Sequence, residues 1–170
     1  MMPGVGSETQ WEMDAMRMIA AGCCLALCTV AWAAGASPIG EMAGYWTGAG
    51  SVTLSSGNTE RVKCAVIYKV SDDGGQIKQS IRCASTDYSI NALADLRVRG
   101  EQVSGSWEEK TYSATGEVTG RYTGTSLVLS IQGANFTAAM NVSLSACKQS
   151  INISPKGLDV NRISIGLAKC

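Results

Sequence analysis

The chain has no histidine, one phenylalanine and three prolines among its 170 residues. Without imidazole it lacks the commonest zinc ligand and the commonest general base near neutral pH, which lowers the standing of hydrolases and zinc enzymes. A Ser-His-Asp triad is excluded outright. Charge is sparse as well: charged residues make up 16% of the chain and the net charge is zero. Basic residues form no cluster of the kind that a nucleic acid or an anionic lipid surface would need. No apolar run reaches the roughly 20 residues of a comfortable helical membrane span, and past residue 40 no stretch carries a convincing helical period.

What is present begins with a leader pattern. Arg17 supplies a short basic start, Ile19 to Val30 an apolar run, and Ala31-Trp32-Ala33 or Ala34-Gly35-Ala36 a small-x-small cleavage site. Residues 16–36 are therefore expected to be a secretory signal helix, with a periplasmic or secreted product that has no membrane span after cleavage; a retained anchor helix is the alternative. Residues 1–15 carry Glu8, Glu12 and Asp14, too acidic a preface for a signal, and read as a mis-assigned or disordered start before Met16 or Met18. Residues 37–42 read as a linker and 43–170 as one domain. Lipid attachment at Cys23 or Cys28 is weakly signalled, since neither has the full leucine and small-residue context. Without Arg17 and the three early acids, 13 basic and 11 acidic side chains remain, a net of +2.

From Ala43 onward the pattern is alternation. Ala134, Phe136, Ala138, Met140, Val142, Leu144 and Ala146 share one parity against Asn135, Thr137, Asn141, Ser143 and Ser145, which predicts a long half-buried strand. The same period of two puts Trp46, Gly48, Gly50, Val52 and Leu54 on one face of a first strand, and Val62, Cys64, Val66, Tyr68 and Val70 on that of a second. Further inward sets are Ile77 to Cys83, Tyr88 to Val98, Val103 to Trp107, Val118 to Tyr122, Leu127 to Ile131, Ile151 with Ile153, and Ile163 to Leu167. Turns are expected at Ser55–Asn58, Asp72–Gly75, Ser85-Thr86, Gly100-Glu101, Ser113–Gly116 and Gln132-Gly133, with a loop at Pro155–Asp159. The inward set changes parity across the even-length hairpins, as a specified register demands.

Eight to ten antiparallel strands in successive hairpins predict an all-β meander, closed into a small barrel so that no sheet edge is left open. A β-sandwich is the alternative. A transmembrane barrel fits less well, because it needs aromatic girdles and strands of roughly 9–11 residues, and several of these runs are only six or seven residues long.

Beyond the leader an even number of cysteines remains, Cys64, Cys83, Cys147 and Cys170, which in an exported chain favours disulfides over metal ligation or catalysis. Counting outward from the Asp73-Gly74 turn sets Cys64 opposite Cys83 on the face shared by Val70–Ile77 and Val66–Ile81, within disulfide range. A four-residue loop at 72–75 would make this the closer, non-hydrogen-bonded pair, and a two-residue loop the wider one. Cys147 and Cys170 are off by one from the register that sets Ile151 and Ile153 against Ile163 and Ile165. They can meet only through a bulge, as at Gly166, or at a frayed end.

Gly44-Tyr45-Trp46 opens the first strand, and a glycine, a spacer and a tryptophan at this place resemble the start of calycin barrels, a group that includes lipocalins, avidins and small bacterial protease inhibitors. The resemblance implies that Trp46 packs across the barrel floor. Trp107 is a candidate second plug. The chain also resembles small secreted proteins of alphaproteobacteria, which implies a compartment and no chemistry. Core packing is the plain reading of both tryptophans; the functional reading puts Trp46, Tyr68, Tyr88, Trp107 and Tyr122 on the wall or mouth of a ligand cavity.

No catalytic constellation is apparent. Asp72-Asp73 is turn chemistry, and Glu108-Glu109 would send adjacent carboxylates to opposite faces of a strand, so they cannot act as a pair. Neither a metal site nor a cofactor is indicated. The three Asn-x-Ser/Thr triplets at Asn135, Asn141 and Asn152 are explained by polar strand faces. The expected function is a non-enzymatic barrel holding a small apolar ligand, with two alternatives: an envelope-protein partner, as for a protease inhibitor acting through its N-terminal segment, or a structural envelope component with no ligand.

Overall fold

The computed structural model describes residues 38–170; the leader readings for residues 1–36 lie outside it. Ten strands follow a short 3-10 helix, η1 (Pro38–Met42): β1 (Gly44–Leu54), β2 (Thr59–Val70), β3 (Gln76–Ala84), β4 (Ser89–Arg99), β5 (Gln102–Glu109), β6 (Ala114–Tyr122), β7 (Ser126–Gly133), β8 (Thr137–Ser145), β9 (Lys148–Lys156) and β10 (Val160–Ala168). Each strand pairs antiparallel with its neighbours in sequence, and β1 pairs with β10 to close the barrel. Closure leaves every strand with two partners, so no edge is exposed. The alternating sets point as expected: Trp46, Val62, Val66, Ile77, Leu96, Val118, Val142 and Ile151 are all buried.

Small residues on the inward face let the sheet coil this tightly. At Gly48, Gly105, Gly116 and Gly120 an added Cβ would fall about 2 Å from a carbonyl oxygen of the neighbouring strand. Glycine is what permits that backbone approach.

Two turns sit elsewhere than the composition suggests. The turn expected at Ser113–Gly116 lies at 110–113, with Glu109 opposite Ala114. It is made not by glycine but by the Glu109 carboxylate, which accepts the Thr111 and Tyr112 N–H groups. The turn expected at Gln132-Gly133 is centred on Ala134-Asn135 and closed by the Gly133 N–H bonding to the Phe136 carbonyl. The long strand accordingly begins at Thr137 rather than Ala134. Ala134 and Ala146, though in phase with the inward set, are exposed turn residues, Ala146 with a positive φ of 49°. Pro155 belongs to β9, opposite Ala138, instead of opening a loop.

Both disulfides form. Cys64 faces Cys83 in the β2–β3 ladder with Cα atoms 4.1 Å apart. The Ser71 N–H bonds to the Gln76 carbonyl, leaving a four-residue loop, so Cys64–Cys83 is the closer, non-hydrogen-bonded pair. Asp73 shapes that loop by accepting the Ser71 hydroxyl and the Gly75 N–H. Cys147 and Cys170 pair through a frayed end, not a bulge: β9 and β10 stay in register as far as Lys148–Ala168, with Gly166 opposite Ser150. The two cysteines then meet just past the ladder, where the Lys169 N–H reaches the Cys147 carbonyl.

Candidate functional site

The two ends of the barrel differ. At the end where β1 begins, η1 lies against β2 and contributes Ile39 and Met42, both buried, to the core. Trp46 sits beside them with no exposed surface, and its indole N–H donates to the Met42 carbonyl at 2.8 Å. The Lys169 ammonium lies 4.8 Å from the centre of its ring and bonds the Glu41 carbonyl. This is the floor. Residues 38–42, which read as linker in the sequence, are part of it.

A polar array lies within the same half. The Tyr68 hydroxyl donates to Gln149 Oε1 at 3.0 Å and accepts from Gln79 Nε2 at 3.3 Å. Burial pushes the Tyr68 phenol above its ordinary value, against the lowering effect of the two glutamines. Gln149 Nε2 has no hydrogen-bond partner among the described residues. Tyr122 is held at this end too, its hydroxyl donating to the Gly124 carbonyl at 2.6 Å.

Above the floor the barrel is hollow. A cavity of about 360 Å³ runs from Leu96, Val118 and Ile165 past Trp107 to the turns at the other end. Its wall is almost wholly aliphatic and aromatic, with Met140, Leu129 and Ile153 among the contributors; Gln79 and Glu109 are the polar exceptions. Tyr112 and Leu158, both exposed, also line it, so the cavity reaches solvent at this mouth. Trp107 lies over Gly116, where a Cβ would come 2.7 Å from the indole nitrogen. Its N–H donates to the Gln132 carbonyl at 3.0 Å, and its ring meets Phe136 at 5.5 Å.

The mouth is built around Glu109. Its Oε1 accepts the Asn91 and Thr111 N–H groups at 2.8 and 3.0 Å, and its Oε2 the Tyr112 N–H at 2.6 Å. Desolvation raises the carboxyl, but the backbone bonds from Asn91, Tyr112 and Thr111 outweigh it and hold the group below the usual range. By fixing the 110–113 turn, Glu109 sets Tyr112 against Tyr88, ring centres 6.0 Å apart and 30° from parallel.

Of the five candidate binding residues, Tyr88 and Trp107 lie on the cavity wall, whereas Trp46, Tyr68 and Tyr122 belong to the closed half. Glu109, weighed above only as half of an acidic pair, and Gln149 are both readable as inward positions: continuing the parity of Val103, Gly105 and Trp107 reaches Glu109, and extending that of Ile151 and Ile153 backward reaches Gln149. Among the described residues, no three His, Cys, Asp or Glu side chains group as a metal site would require.

No family model matches the chain, and no curated protein matches it in sequence. Solved structures do match. Rv2717c from M. tuberculosis aligns with a TM-score of 0.66 at 14% identity, over 76% of this chain and 93% of that one. The S-type phycobiliprotein lyase CpeS from Guillardia theta aligns at 0.56 and 12% identity, over 78% and 90%. A protein of unknown function from the DUF3598 family of Nostoc punctiforme aligns at 0.56 and 13%, over 78% of this chain but 48% of its own length. The shared property is the fold. It is a closed antiparallel barrel, here of ten strands.

Proposed function

We propose that this chain is an exported, non-enzymatic barrel that holds a small, mostly apolar molecule. The observation that carries the reading is the hollow upper half, an apolar cavity of about 360 Å³ open at one end. That volume lies at the small end of the ~300–1,000 Å³ of ligand pockets, which combine apolar walls with a few polar groups. Trp107 and Tyr88 supply aromatic surface; Gln79 and Glu109 supply the polar groups.

A phycobiliprotein lyase shares the architecture, so the fold alone does not decide between holding a ligand and transforming it. The wall favours holding. Among its described residues there is no lysine, Cys83 is tied in a disulfide, and the Glu109 carboxylate is engaged by three backbone N–H groups. The inhibitor reading finds less support, because the segment through which such a barrel would act is packed against the floor at Ile39 and Met42. Two disulfides favour an oxidising compartment. Among the described residues no helix is long and apolar enough to cross a membrane.

Native mass spectrometry of the oxidised protein with a panel of small lipophilic compounds tests the binding reading. One-to-one adducts are expected, and no adduct across the panel would reject it. Export is tested separately, since the mature chain should begin between Ala34 and Ser37. Exported material that still contains residues 18–30 would reject cleavage there.

A further inference from the structure

The binding reading leaves the head group of the ligand open, and the inference here rests on that reading. Glu109 stands on the cavity wall with only 7% of its surface exposed. Among the described residues it is the one charged side chain in the lining, and no lysine or arginine shares the wall with it. The Asn91 and Thr111 N–H groups bond Oε1 and the Tyr112 N–H bonds Oε2, with the Thr111 hydroxyl a further donor to the carboxylate; every one of these donors is neutral. The backbone bonds keep the carboxyl ionised near neutral pH despite its burial. Those bonds offset desolvation but supply no counter-charge, so an incoming cation gains a Coulomb attraction that no residue of the wall already satisfies.

Two further observations describe the field at this mouth. The Tyr88 phenol is raised by burial and then by Tyr112, Glu109 and Glu60, so both carboxylates lie within electrostatic reach of its ring. The stacked Tyr88 and Tyr112 rings add π surface, which attracts cations and not anions.

We propose that the cavity selects a small cationic amphiphile, its apolar body inside the barrel and its ammonium group on the Glu109 carboxylate beside the Tyr88–Tyr112 pair. A carboxylate-headed ligand of the same body is disfavoured, because its charge would lie next to Glu109 with no cation on the wall. A neutral alcohol falls between the two.

The test uses three probes with one two-ring body, 1-naphthylmethylamine, 1-naphthylmethanol and 1-naphthoate, titrated calorimetrically into the oxidised full chain at low salt. The amine is expected to bind about tenfold more tightly than the alcohol and the acid more weakly than either, with the amine's advantage shrinking as salt is added. Glu109→Gln also disturbs the turn that Glu109 caps, so the informative variant is Tyr112→Leu. It keeps the backbone N–H that Glu109 uses and removes the ring. It should lower the amine-to-alcohol ratio about threefold with alcohol affinity little changed. Equal binding of amine and alcohol, or tightest binding by the acid, would overturn the cation preference while leaving the binding reading intact. If none of the three binds, the binding reading fails and the preference with it.

Discussion

Both halves of the barrel carry an inward tryptophan on a strand beside a glycine-rich face, yet the two rings live in different surroundings. Trp46 is covered by η1, gives its N–H to Met42 and lies under the Lys169 ammonium. Trp107 gives its N–H to the backbone of β7 and turns its face to an open cavity. The strands supply inward parity at both positions; what differs is the cover at each end. The short helix Pro38–Met42 covers one end through Ile39 and Met42, while the turns at 110–113 and 157–159 leave the other open. Close packing is thus concentrated at the floor and empty volume toward the mouth.

Substitutions at the two rings would break or sharpen that contrast most. Trp46→Ala should cost about 3–5 kcal/mol, the range for a fully packed tryptophan, whereas Trp107→Ala should cost about 1–2 kcal/mol because part of its surroundings is already empty. Urea midpoints compare them, and equal losses would mean that the upper half is packed like the lower.

Next in size is the cross-link between β2 and β3. Replacing Cys64 and Cys83 together with alanine should cost about 3 kcal/mol in the chain-entropy model for a loop of this size. Thermal unfolding with and without reductant reads it. A smaller loss is expected at Gly116, where a Cβ would fall 1.7 Å from the Gln132 carbonyl oxygen. Gly116→Ala should cost about 1–3 kcal/mol and move Trp107, visible as a shifted emission maximum; an unchanged midpoint and spectrum would place the β6–β7 strands farther apart.

The smallest effects come with pH, and Tyr68 and Glu109 should respond at opposite limits. Tyr68 has a raised folded-state value, so its contribution is complete below the ordinary phenol value of about 10 and declines as pH rises above it. Glu109 has a lowered one, so its contribution is present above about 4.3 and declines as pH falls below. Asp73, lowered chiefly by its bond from Ser71, shares the acid limb. In midpoint-against-pH curves, Tyr68→Phe should flatten the alkaline limb alone and Glu109→Gln part of the acid limb alone. Loss of both limbs in one variant would contradict the assignment of each group to its own limb.

Much of the fold was legible because a period of two and good turn residues carry it. Asp72–Gly75 and Gly100-Glu101 turn where glycine allows, and Cys64 meets Cys83 because the register runs outward from that first turn. The turns at 110–113 and 134–135 were missed for a physical reason. One is built by a side chain, the Glu109 carboxylate, and a non-glycine residue, Ser113, with a positive φ of 53°; the other uses Ala134-Asn135 with neither glycine nor proline. The site was less legible than the fold. Alternation tells inside from outside but not height along the barrel, so Trp46, Tyr68 and Tyr122 looked equivalent to Trp107 and Tyr88. Only the cover at one end separates them.

The central claim is that the upper half binds and the lower half does not. Titration with a brominated apolar alcohol, which quenches indole only on close approach, tests it in the parent chain, Trp46→Phe and Trp107→Phe. Saturable quenching is predicted in the parent and in Trp46→Phe, and its loss in Trp107→Phe. Quenching that survives in Trp107→Phe, or none in any of the three, would contradict the account.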